Sequence, residues 1–206
     1  MIRRTRSKKA DTHARIVAIA AKRFRELGIH QISIADLMNE AGLTVGGFYR
    51  HFSSRDQLVV EAFIAASQDI VKWSESVSSC GQAIKDYLAE DHRDHPETGC
   101  SVAALTGDVK NESDPVRAVY TREVRRLLEF FSRLAPADGA LAKRQAGMLV
   151  FSACVGALEL SRSVDDPKLS GDILTAVRSL LVEMTSGGAS LTPRKWRTAA
   201  SRRGRS

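Results

Sequence analysis

Few cysteines, few prolines and no long apolar run define what this 206-residue chain does without. Cys80, Cys100 and Cys154 cannot all pair within one chain. Their spacing fits no zinc-binding pattern, so free thiols in a reducing compartment are the simplest reading. The longest stretch without a charge, residues 145–158, is shorter than the roughly 18–20 residues of a membrane-spanning helix. The apolar run at 16–21 is too short for the core of a signal peptide. A cytoplasmic protein without a membrane partner is expected. Period-2 alternation is missing, as are Asn-Gly and Asp-Gly hairpin turns between apolar runs, so a β fold is excluded. Absent too are HExxH, GxSxG, the lysine-bearing phosphate loop and the dinucleotide fingerprint. No enzyme activity, catalytic residue, cofactor or metal is therefore expected. Asp91, His92, Asp94 and His95 form the one cluster with metal-ligating side chains, and it reads better as a solvated loop at 91–99.

The charge that is present lies unevenly. Lys and Arg number 31 against 24 Asp and Glu, a net +7. Residues 1–60 hold 11 basic and 5 acidic side chains, residues 61–189 hold 14 and 19, and residues 190–206 hold 6 and 0. Both ends suit a polyanion and the middle does not, which disfavours a uniformly basic ribosomal-type protein and leaves a non-specific DNA-coating protein driven by the basic ends as a third reading.

Helical spacing runs through almost the whole chain. Ile16, Val17, Ala20, Phe24 and Leu27 make one stripe, started by Asp11 or Thr12 and ended at Gly28. Ser33 caps a short helix at 34–41 that Gly42 ends, and Thr44 caps another at 45–51. Ser54 and Gln57 form a capping box for a long helix to about residue 76. Further helices are expected near 82–90, at 101–110, at 115–134 behind Asp114-Pro115, at 140–164 and from 167 to before Gly187. The chain thus divides into a basic arm (1–10), a small helical head (11–53), a helical core (54–187) and a basic tail (188–206) that is too polar to fold alone. Arg3, Arg4, Arg6, Lys8 and Lys9 in the arm suit phosphates or a minor groove, or serve only to solvate it.

Residues 34–52 have the spacing of a helix-turn-helix. Gly42 supplies the sharp turn, Ala41 lets the helices cross closely, and Leu37 and Phe48 lie between them. Such geometry also occurs in proteins that never touch DNA. Two features favour DNA here. Gly46-Gly47 costs roughly 1 kcal/mol per glycine in a helix interior, a cost that serves close approach to a phosphate or base edge. The surrounding 60 residues are also net basic. Ser33, Thr44, Val45, Gly46, Gly47, Tyr49, Arg50, His51 and Arg55 are the candidate DNA-binding residues. Tyr49, His51 and Arg55 are assigned to phosphates, and the start of the second helix to bases.

The stretch AGLTVGGFYRHFSSRDQL (residues 41–58), within the longer 16–63, resembles the N-terminal DNA-binding domain of the TetR family of bacterial transcriptional regulators. Val45 stands where that family usually has Lys, and Gly47 where it usually has Thr or Ser. The resemblance implies an all-α homodimer of about nine helices per chain. Its DNA-binding head would be joined by a long helix to a core that binds a small-molecule effector, and its last two helices would pair with a partner's as a four-helix bundle. It further implies a repressor that leaves a palindromic operator when the effector binds. Gly147, Ala153, Gly156 and Ala157 keep the penultimate helix narrow for such a bundle, or else pack inside one subunit. GCSVAALTGDV (residues 99–109) and VGALELSRSVDDPKLSGDIL (residues 155–174) are similar to one branch whose members often answer to reactive electrophiles. Cys100 precedes a helix, where unpaired amides favour the thiolate, so it is the candidate effector-sensing residue; the bland alternative is a small buried side chain. A thiol-dependent enzyme or scavenger using Cys100 is the rival function.

Overall fold

A computed structural model describes residues 2–186, with side chains from residue 8 onward. The basic tail expected at 188–206 lies outside the described residues. All regular structure among those residues is helical: nine α-helices and one 3-10 helix. They run as α1 (Ile2–Leu27), α2 (Ile34–Glu40), the 3-10 helix Val45–Arg50, α3 (Arg55–Ser76), α4 (Cys80–Tyr87), α5 (Glu90–Asp94), α6 (Ser101–Val109), α7 (Asp114–Leu134), α8 (Ala140–Ser163) and α9 (Pro167–Thr185).

Three elements differ from the sequence reading. The expected arm at 1–10 is instead the first turns of α1, which starts at Ile2. Residues 2–10 contain no Gly or Pro, and Arg, Lys and Ala sustain a helix without an apolar face. The expected loop at 91–99 begins with one short helix, α5, whose acidic start and basic end suit the helix dipole. The recognition segment is wound as a 3-10 helix. Gly46 and Gly47 propagate an α-helix poorly, and Thr44 makes no side-chain cap bond, so i→i+3 bonds prevail. Gly47 N–H donates to the Thr44 carbonyl at 2.9 Å and His51 N–H to that of Phe48 at 2.8 Å.

One continuous core joins head and body. Ile16, Ala20, Phe24, Leu37, Phe48 and Phe52 close the head, and Leu58, Ala62 and Phe63 carry the apolar face of α3 from it into the body. In the body, Phe131 stacks on Phe151 with centroids 5.4 Å apart, binding α7 to α8. Phe63, Phe130, Phe131 and Phe151 are buried, as core residues should be. Gly147 belongs to this core: a Cβ there would lie 2.4–2.6 Å from Ser132 of α7. Ala157 is buried and Ala153 packs against the core, while Gly156 faces open space. The stripe of small residues on α8 is thus divided, with three of the four packing inside the chain. None of the helices described is long and apolar enough to cross a membrane.

Candidate nucleic-acid interface

Local capping sets the angle of the two recognition elements. Ser33 Oγ accepts from Asp36 N–H at 3.1 Å, and the Asp36 carboxylate accepts from Ser33 N–H at 3.1 Å. Ser33 Oγ also donates to Asp36 at 2.6 Å, so this hydroxyl is engaged in starting α2. Gly42 takes φ +67°, the left-handed conformation that lets the chain turn at once, and Leu43 N–H closes the turn on the Met38 carbonyl at 2.9 Å. Leu37, Ala41 and Phe48 are buried between the elements as their spacing requires.

The outward face follows from which side chains the core takes. Phe48 and Phe52 are 1% exposed and stack at 5.3 Å. Val45 and Tyr49 are 49% and 74% exposed, large for an apolar and an aromatic side chain. Thr44, Gly46 and Arg50 are exposed beside them. These residues form one projecting surface with few internal commitments.

Two candidates are placed differently. Arg55 donates to the Ile29 carbonyl, and its guanidinium lies 5.9 Å from the Phe24 ring. It fastens the start of α3 to the turn between α1 and α2. His51 is half-buried, its ring 6.1 Å from His13 and 6.3 Å from Phe52. Burial, then the positive charge of His13, Lys9 and Arg50, lowers its pKa below the ordinary imidazole value. His13 stacks on Phe52 at 4.4 Å and reaches Glu61 of α3 at 2.5 Å, so α1, the recognition segment and α3 meet there.

Cys100 is the N-cap of α6, but its surroundings reverse the expected effect on the thiol. The side chain is fully buried, and burial pushes its pKa up, against smaller opposing contributions from Tyr87 and the amides of Ala103 and Val102. Desolvating a thiolate costs more than the helix amides return. Cys80 and Cys154 are also buried, and Cys154 is pushed up to about 12 by desolvation. Among the described residues no group of three or more His, Cys, Asp or Glu is placed to hold a metal ion.

Residues that spacing did not reveal join head to core. Arg25, 7% exposed at the end of α1, donates to the Gly99 carbonyl at 3.0 Å. Ile29 N–H donates to Asp108 at 2.6 Å. Gly99, just ahead of the α6 N-cap, and Asp108, near the other end of α6, thereby hold the end of α1 and the turn that follows it. His92 supports the first contact. Its Nδ1 donates to the Tyr87 carbonyl at 2.7 Å, leaving Nε2 to accept Cys100 N–H at 2.9 Å. Burial lowers its pKa to about 4, which keeps the ring in that neutral form. A cleft of about 730 Å³ lies beside this junction, lined by Arg25, Gly28, Arg93, Asp108 and Arg162 among others. A smaller one of about 210 Å³ is lined by Ile70, Trp73, Tyr87 and His92 among others. Long-range contacts of this kind leave no periodic signal in a sequence.

Residues 16–62 match the family described as bacterial regulatory proteins, tetR family. The HTH-type transcriptional regulator TtgR of Pseudomonas putida is 36% identical over 134 residues, 65% of this chain and 48% of that protein. The chain thus spans about half the length of that relative. An uncharacterized HTH-type transcriptional regulator of Mycobacterium tuberculosis, Rv0196, is 27% identical over 161 residues, covering 72% of this chain and 82% of its own. Among solved structures, a TetR transcriptional regulator from Chloroflexus aurantiacus superposes with TM-score 0.71 at 21% identity, covering 87% of this chain and 97% of that one. The reduced form of Escherichia coli NemR does so with TM-score 0.59 at 15% identity, covering 83% and 95%. At these identities the structures show a shared fold.

Proposed function

We propose that the whole protein, whose residues 16–62 match the tetR family of bacterial regulatory proteins, is a member of that family: a dimeric transcriptional repressor released from a palindromic operator by a small-molecule effector. The observation that carries this reading is the projecting surface of Thr44, Val45, Gly46, Tyr49 and Arg50, held rigidly by a buried helix-turn-helix core. The apolar stripe left open on α8 and α9 supports the dimer. Met148, Leu149 and Leu160 on α8, and Leu169 and Leu180 on α9, are exposed at helical spacings. Monomeric proteins seldom leave such a patch uncovered. Two heads on a two-fold axis reach half-sites about one DNA turn apart, roughly 34–36 Å. The double hold of α6 on α1 supports release: an effector that displaces α6 moves the head and loses that spacing.

Tyr49→Phe tests the DNA-binding role. Its ring is 74% exposed and meets Phe48 in a T-shaped contact at 5.2 Å that the substitution keeps, so the fold is expected to be unchanged. A lost phosphate bond weakens every site by about 1 kcal/mol per half-site. Footprinting and titration on several duplexes should show a uniform loss. A changed sequence preference counts against the assignment.

The buried Cys100 supports a reversible, non-covalent effector over an electrophile. Modification of Cys100 by N-ethylmaleimide in the native protein should be limited by opening of the core, and much slower than in urea. N-ethylmaleimide should release wild-type and Cys100→Ser proteins from the operator equally. Rapid labelling together with release of wild type alone would restore the electrophile-sensing reading. Consumption of the electrophile by catalytic turnover would favour the thiol enzyme.

A further inference from the structure

The first turn of the recognition segment presents no side chain able to make a bidentate bond to a base. Thr44 ends in one hydroxyl, Val45 in two methyl groups, and Gly46 and Gly47 in nothing. The next side chain, Phe48, is buried in the head. Arg50, the one cation from residue 44 to residue 50, lies at the far end of the segment. Specific reading in the major groove ordinarily uses Arg or Lys on guanine and Asn or Gln on adenine, and none of these stands at 44–47. The remaining feature that an apolar side chain recognises is the C5-methyl group of thymine.

Neither glycine is required by the protein itself. The positive-φ glycines among the described residues are Gly28, Gly42 and Gly139, so Gly46 and Gly47 sit in backbone that any residue adopts. A Cβ on Gly46 would meet nothing within 4 Å, and one on Gly47 would make an ordinary 3.6 Å contact with Met38. The pair lowers helix propensity without relieving any clash inside the chain. Its benefit lies outside, where an unclothed backbone approaches a surface closely. Val45 requires such an approach, because its side chain ends at Cγ, and it is 49% exposed.

We infer that Val45 reads a thymine methyl in each operator half-site, with Gly46-Gly47 setting the distance of approach. The inference rests on the operator-binding reading above and adds the chemistry of base selection to it. Contact is by apolar burial, so preference at that base pair depends on one methyl group.

The test uses the full chain. Binding sites are selected from a random duplex library, and each thymine of the selected site is replaced singly by deoxyuridine, which pairs alike and lacks only the methyl. At one thymine per half-site, wild type should lose about fourfold, and about fifteenfold when both are replaced. Val45→Ala should be indifferent to the same replacement. Gly46→Ala, for which the fold has room, should keep its helical circular dichroism and lose about tenfold or more on every site. Selected sites without a fixed thymine, a wild type indifferent to deoxyuridine, a Val45→Ala protein that keeps the full methyl effect, or a Gly46→Ala protein that binds normally would each overturn the inference. An enriched dyad site that is insensitive to the methyl refutes this inference alone. A library that yields no enriched site refutes the operator-binding reading with it.

Discussion

Gly156→Glu should convert the protein to a folded monomer that binds its operator about a hundredfold more weakly or worse. Gly156 lies in the outward stripe of α8 between exposed Leu149 and Leu160, and a Cβ there meets nothing within 4 Å. The single chain therefore accommodates glutamate, and its far-UV circular dichroism should match wild type. In a two-fold bundle the same carboxylate is buried without a partner, which costs several kcal/mol at each of two symmetric positions. Losing the partner removes the second head, and with it the gain of about 10²–10⁴ that linked sites confer. Sedimentation and operator titration read both consequences. A Gly156→Glu protein that remains dimeric and binds normally places the dimer interface elsewhere. Gly156→Ala is the control and should leave assembly nearly unchanged.

Gly147→Ala should destabilise the fold itself. This position lies nine residues earlier on the same helix but faces inward. A Cβ there would sit 2.4 Å from Ser132 Oγ, 2.5 Å from its amide nitrogen and 2.6 Å from its Cα. Two of those atoms are backbone of α7, so α7 and α8 have to separate. The Ser132 hydroxyl is also committed to the Leu128 carbonyl at 2.6 Å and cannot simply turn aside. Overpacking of this kind costs about 1–3 kcal/mol. Thermal unfolding should show it, at about 2–4 °C for each kcal/mol. A melting temperature within about 1 °C of wild type would mean that the helices part without loss. The two glycines test separate claims: one alters assembly and leaves the chain's fold intact, the other loosens the chain.

The helices of the body and the head were legible because their signals are local. Asp114-Pro115 opens α7, Asp166-Pro167 opens α9, and Gly28 and Gly42 end α1 and the first recognition element with φ of +92° and +67°. Stripes such as Ile16, Ala20 and Phe24 state which face is buried before any partner is known. The exposure of Val45 and Tyr49 follows from the same spacing, since Phe48 between them must face inward.

Where local signals were weak, the sequence pattern was incomplete. Gly46-Gly47 pointed to a site of close approach, yet the helix drawn through it is a six-residue 3-10 turn, because hydrogen-bond register depends on propensity as well as pattern. Arg55 resembles a phosphate ligand by position, and position gave no sign that its guanidinium also donates to the carbonyl of Ile29, 26 residues away.

The sequence by itself determined an all-helical chain, the helix-turn-helix and the residues its second element displays, because caps, turns and periodic faces act within a few residues. Only the tertiary structure decided the state of Cys100, the inward and outward glycines of α8, and the hold of α6 on α1 through Arg25 and Asp108. Desolvation and close helix contact depend on which surfaces meet across separations from 15 positions, as for Gly147 and Ser132, to 79, as for Ile29 and Asp108, and no short-range pattern encodes that meeting.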